Sequence, residues 1–97
     1  MHVGACLITL RLEGSHSLKD KRQVIRSLIE RLRRHFNVAV AEVEEQESWQ
    51  TAVLGLSVVS NEAGHAARQI DRVVEAIEGD RLGVEVVDRY VDVLAVT

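Results

Sequence analysis

Seven of the chain's twelve Lys and Arg residues stand between Ser17 and Phe36: Lys19, Lys21, Arg22, Arg26, Arg31, Arg33 and Arg34. Only Asp20 and Glu30 oppose these seven cations, so the segment carries +5; with the whole chain at −3, the remainder carries −8. Cations gathered in this way grip oxyanions. On a helix turning roughly 100° per residue, Arg22, Arg33, Arg26 and Lys19 fall within an arc of roughly 60° and form a ridge about 21 Å long. A ridge of that length can follow several phosphates, and the guanidinium fork takes phosphate oxygens in pairs. Lys19 and Lys21 lie near the helix start, where free backbone N–H groups also favour an anion. Lys21 adjoins the apolar stripe, so its stem is expected to cover the core edge while its ammonium reaches solvent. Arg34 lies near the back of the helix, and Glu30 interrupts the ridge. The expected nucleic-acid contacts are therefore Lys19, Lys21, Arg22, Arg26, Arg33 and Arg34. The competing reading is a solvated helix face, because exposed ion pairs contribute little and Arg33 and Arg34 simply suit the helix dipole.

No other constellation carries chemistry as far. Glu42 and Glu44 fall on one face of a strand by simple alternation, and with Glu45 and Glu47 they make a carboxylate-rich stretch. No Asp-Gly calcium loop accompanies them, so a charged edge strand guarded against unwanted pairing explains them better than a cation site. His2, His16, His35 and His65 are scattered, and Cys6 sits among apolar residues as a small hydrophobe. His16 precedes Ser17, but no carboxylate orients it for acid–base work. No catalytic residue, metal site or cofactor is expected. Trp49 is the one large ring in a loop, either a partner contact or, more in keeping with the usual burial of Trp, a lid folded back over the core.

The elements that must position these groups follow from periodicity. Residues 2–13 alternate as a strand, with Cys6, Ile8, Leu10 and Leu12 on one side and Val3, Ala5, Leu7 and Thr9 on the other. Ser17 reads as an N-cap with Asp20 three residues on, opening a helix to about His35. Its stripe of Leu18, Ile25, Leu28, Ile29, Leu32 and Phe36 must face a sheet. Strands follow at about 38–44 and 51–60, joined by a hairpin loop over 45–50. Ser60 or Asn61 caps a second helix that ends at Gly79, and a last strand covers about 84–96. The order β-α-β-β-α-β is the split βαβ arrangement: an α+β, ferredoxin-like sandwich with a four-stranded antiparallel sheet and two helices on one face. The first and third strands are central. The uncovered sheet face then carries Val3, Ala5, Leu7, Val53 and Val59, and its aliphatic surface points to a homodimer stacked face to face.

The runs Ser17-Leu18-Lys19-Asp20-Lys21-Arg22, Phe36-Asn37-Val38, Ala41-Glu42-Val43 and Trp49-Gln50 resemble the YlxP-like family of small bacterial proteins of unknown function. The resemblance implies a ferredoxin-like fold, a cytoplasmic bacterial protein and, because such proteins are often encoded beside translation factors and a ribosome-maturation factor, an RNA or ribosome connection. It supplies no catalytic residues.

Composition sets the outer bounds. Ninety-seven residues with 46% hydrophobic content form one domain, 1–97, with a single modest core. No run approaches the roughly 20 apolar residues of a membrane span, and no secretory leader is expected. One cysteine excludes an internal disulfide and fits the cytoplasm. Three aromatics, Phe36, Trp49 and Tyr90, are too few for a base-stacking sheet. The leading expectation is a non-catalytic RNA- or ribosome-associated accessory protein. The alternative is a dimeric protein-interaction or regulatory module without a nucleic-acid role, in which the sheet face or Trp49 matters and the basic ridge is incidental.

Overall fold

The computed structural model describes every residue except Arg81 and Leu82. Its elements are β1 (His2–Arg11), α1 (Leu18–His35), β2 (Ala39–Glu44), β3 (Thr51–Ser60), α2 (Ala63–Glu78) and β4 (Glu85–Ala95). The four strands form one antiparallel sheet in the order β2-β3-β1-β4, so the ferredoxin-like sandwich expected from the element order is the fold. Both helices lay their apolar stripes on one face. Ile8, Leu10 and Leu54 from the sheet meet Leu28 of α1 and Ile70 and Ile77 of α2 in a single core, each at most 1% exposed. Burial of that kind stabilises by roughly 1.5–3 kcal/mol per side chain.

Helix α1 begins as its sequence requires. Ser17 Oγ accepts from the Asp20 N–H at 3.0 Å, and Asp20 Oδ2 accepts from the His16 N–H at 3.0 Å. Helix α2 departs from expectation. Its N-cap is Glu62, which makes no side-chain cap bond, and Ser60 Oγ is engaged with His65 Nδ1 at 2.9 Å and with the Glu62 N–H at 3.2 Å. Gly79 ends the helix in a right-handed conformation, its N–H still bonded to the Glu75 carbonyl, so no left-handed cap is used.

Strand β2 also departs from simple alternation. Glu42 pairs with Leu54 but Glu44 pairs with Val53, so Val43 is an extra residue in a β-bulge. Glu42 therefore shares the helix-covered face with Leu54, and Glu44 shares the open face with Val53. The two carboxylates expected side by side are on opposite faces.

At Gly4, α2 packs tightly over β1. A Cβ there would stand 2.7 Å from Ile70 Cδ1 and 3.0 Å from Val58 Cγ2. Gly4→Val is expected to cost about 1–3 kcal/mol by overpacking, lowering the melting midpoint by roughly 4–8 °C per kcal/mol, as followed by circular dichroism.

Candidate nucleic-acid interface

The structure divides the predicted basic residues into three groups. Arg22, Arg26 and Arg33 line one groove of about 340 Å³ between α1 and the edge strand β2, floored by Ile25, Ile29 and Val40. Glu30 also lines it, as the angular reading anticipated. Arg33 is steadied there by an N–H from Nη2 to the Val40 carbonyl at 2.7 Å. Arg22 and Arg26 are exposed and make no ion pair or side-chain hydrogen bond among the described residues. Lys19 and Arg34 are exposed and similarly unpaired, but neither lines the groove. Arg31, on the far side of the helix, is taken by Asp80 at 2.9 Å.

Lys21 is the correction. Its side chain is 0% exposed, so its ammonium does not reach solvent and cannot meet a phosphate. Nζ donates to the Glu45 carbonyl at 2.6 Å and the Thr51 carbonyl at 3.1 Å, and lies 3.1 Å from Glu42 Oε2. Glu42 Oε2 is buried and receives no well-aligned hydrogen bond, so this third contact is chiefly Coulombic. The ammonium stays inside because the bulge at Val43 turns Glu42 toward α1 and the hairpin offers it two carbonyls. The contact also cancels the second carboxylate of the groove, for Glu42 lines it too.

The same ammonium holds an unusual backbone. Glu45 has φ 63°, a left-handed conformation that costs a residue with a Cβ roughly 1–3 kcal/mol unless its surroundings impose it. Its carbonyl accepts from Lys21 and from the Ser48 N–H at 3.1 Å. Ser48 Oγ in turn accepts from the Thr51 N–H at 3.1 Å. Gln50 bridges back to the β1–α1 turn, its Nε2 donating to the carbonyls of Glu13 at 3.2 Å and Ser15 at 3.1 Å. Gln50 thus does the closing expected of Trp49, which remains 55% exposed on a pinned loop rather than folding back as a lid.

On the open sheet face the predicted Val3, Ala5, Leu7, Val53 and Val59 share one side of their ladders. Leu7 and Val59 are 43% and 61% exposed, whereas Val53 is already covered at 6% and offers little to a partner. Tyr90 and Leu94 of β4, opposite Leu7 and Val3, extend the face and were missed by the sequence reading. Their signal was the register to β1, which a bulge opposite Thr9 and Leu10 shifts by one residue and so hides from periodicity. Across this face runs a shallow trough of about 640 Å³, with Ala5, Ala39, Ala41, Gly55 and Ser57 between Leu7, Val43 and Tyr90.

Cys6 lies in the core, and burial pushes its thiol pKa up, with Arg89 opposing and Asp71 assisting. It is chemically quiet at neutral pH. Among the described residues, no helix is long and apolar enough to cross a membrane.

The buried ion pair predicts an asymmetric response. Lys21→Met leaves Glu42 and two carbonyls without their cation and should cost about 3–5 kcal/mol, whereas Lys21→Met with Glu42→Met should recover much of that loss. Urea unfolding midpoints of the two variants and the parent measure the difference.

Comparison with known proteins gives one likeness of fold and two of sequence. The de novo designed protein Foldit4 aligns over the whole of both chains with a TM-score of 0.53 at 13% identity, a likeness of fold alone. "Uncharacterized protein YlxP" of Bacillus subtilis (strain 168) is 32% identical over 62 residues, covering 64% of this chain and 67% of that protein. The family model described as "Protein of unknown function (DUF503)" matches residues 3–91, from the start of β1 into β4. The chain belongs to the DUF503 family.

Proposed function

We propose that the protein is a non-catalytic cytoplasmic accessory factor that binds RNA or a ribosomal particle through the groove between α1 and β2. One observation carries this reading: three guanidiniums line a single groove, and Arg22 and Arg26 have no anionic partner within the chain among the described residues. From Arg22 to Arg33 the groove follows α1 for about 16 Å, enough for a short stretch of phosphates. Arg33 meets such a backbone with its guanidinium already oriented by Val40, so less freedom is lost on contact. The groove offers no aromatic stack, which favours backbone recognition over base reading.

Reversal of Arg22 and Arg26 to Glu should abolish most co-sedimentation with purified 30S or 50S subunits and reduce the slope of log K against log salt by about 1.4–1.8 for two lost phosphate contacts. Arg34→Glu, outside the groove, should change both far less. Equal co-sedimentation of the double reversal and the parent would exclude the groove as the contact.

A second reading, a homodimer or protein-interaction module, is favoured by the open sheet face. Four strands about 4.8 Å apart and up to 11 residues long present about 600 Å² per copy, close to the roughly 800 Å² of a standard interface. Tyr90, 64% exposed, and Leu94 project from the β4 side, while the trough lies toward β2 and β3. A two-fold axis seats each projection in the other copy's trough. Sedimentation equilibrium at micromolar concentration should give twice the chain mass, reverting to the single mass in Tyr90→Glu with Leu94→Glu. A monomeric parent would exclude the homodimer. Trp49, exposed on its pinned loop, is the anchor for a further protein contact under the same reading.

A further inference from the structure

We propose that pairing of two copies through the open sheet face regulates the arginine groove: Asp92 of a second copy takes the Arg33 guanidinium, so pairing and RNA binding compete. The proposal rests on the groove reading above and names what controls that groove. Arg33 belongs to two surfaces. It lines the groove beside Arg22 and Arg26, and it also lines the trough on the open sheet face. Val40 and Ala41 line both as well, so the two hollows meet across the short strand β2.

Three observations select a second copy as the occupant of the trough. First, its charge is self-complementary. Among the described residues, Arg33 at the β2 margin and Asp92 on β4 are the only charged groups in its lining, and both are exposed. Asp92 makes no ion pair or side-chain hydrogen bond among the described residues, and Arg33 makes only its bond to the Val40 carbonyl. Strands β2 and β4 stand three spacings apart, about 14 Å, which is too far for the two groups to pair within one copy. Second, its relief is self-complementary. Ladder pairing sets Ala39, Ser57, Ala5 and Asp92 in one row across the sheet, and Ala41, Gly55, Leu7 and Tyr90 in the next. In these rows the β2–β3 half is low and the β1–β4 half is high.

Third, symmetry fixes the match. A two-fold axis lying along the strands, between β3 and β1, sets β4 of each copy over β2 of the other without shifting the rows. Tyr90 then stands over Ala41 of the second copy, Leu7 over Gly55, and Asp92 over Ala39 next to Arg33. The same contacts recur on the other side of the axis. An axis across the strands instead sets β4 on β4 and leaves both arginines unmatched. A guanidinium held by a carboxylate has less to offer a phosphate, and a phosphate in the groove repels the incoming Asp92. Linkage requires each event to weaken the other by the same factor.

The test measures both events on the full chain: sedimentation equilibrium with and without a fluorescein-labelled octauridylate, and the anisotropy of that probe. Saturating probe should weaken self-association of the parent about tenfold, and Asp92→Asn should weaken it about tenfold while binding the probe at least as tightly as the parent. Asp92→Arg and Arg33→Asp should each be monomeric at micromolar concentration. Combined in one chain they should pair again, a recovery that loss of folding cannot produce. A monomeric parent, self-association unmoved by saturating probe, or a charge-swapped chain that pairs no better than its single variants would each overturn the proposal. In all three cases the groove reading still stands if the parent binds the probe and Arg22→Glu with Arg26→Glu does not. A parent that fails to bind the probe removes the groove reading and the competition together, whatever the charge swap shows.

Discussion

A single buried ammonium holds the candidate interface in shape. Lys21 joins the first turn of α1 to both ends of the β2–β3 hairpin, through residues 24 and 30 positions away in the chain. Desolvating a cation costs several kcal/mol, and two carbonyls and a carboxylate offset that cost only if all three stay in place. The helix that carries the free arginines is therefore fixed in position against the strand that forms the other wall of their groove. The same contact imposes the left-handed backbone at Glu45 and so sets the path of the loop that displays Trp49. The runs by which the chain resembles its family converge here: Ser17 and Asp20 cap the helix, Lys21 and Glu42 pair, and Gln50 closes the loop onto the β1–α1 turn. Much of that pattern is architectural, and its exposed members that make none of these contacts include Lys19, Arg22, Asn37 and Trp49.

Charge is sorted by the same device. Glu42 would otherwise face Arg22 and Arg26 across their groove and neutralise part of it at short range. With Lys21 held against it, Glu42 is answered from within, and Glu30 is the one remaining carboxylate in the lining. The −8 borne by the chain outside the basic segment lies largely on β2, its hairpin loop, α2 and β4, which keeps the positive surface local and oriented.

What was legible in the sequence was local. Ser17 with Asp20 marks the start of α1, an uninterrupted apolar run gives β3 its observed bounds, and the 3.6-residue turn alone places Arg22, Arg26 and Arg33 on one flank. What was not legible depends on distant partners. Nothing around Lys21 distinguishes a snorkelling lysine from a buried one, because the decision is made by carbonyls in another hairpin. The bulge at Val43 leaves no periodic trace in a six-residue strand, so Glu42 and Glu44 read as neighbours on one face. The cap of α2 was misplaced: it is Glu62, and Ser60 is engaged with His65. Trp49 was given a lid's role that Gln50 fills, a choice set by the carbonyls of Glu13 and Ser15.

The free margin of β2 carries one more consequence. The Val40 carbonyl is taken by Arg33, and the Glu42 carbonyl receives Gln46 Nε2 at 3.4 Å. Endless lateral growth of a sheet, copy upon copy, requires each molecule to offer two receptive borders. Here the shorter border is stoppered by the protein's own side chains. A strand added along β2 must first displace both contacts, so a domain with a long apolar sheet is guarded on that side by an arginine whose other nitrogens remain available for binding.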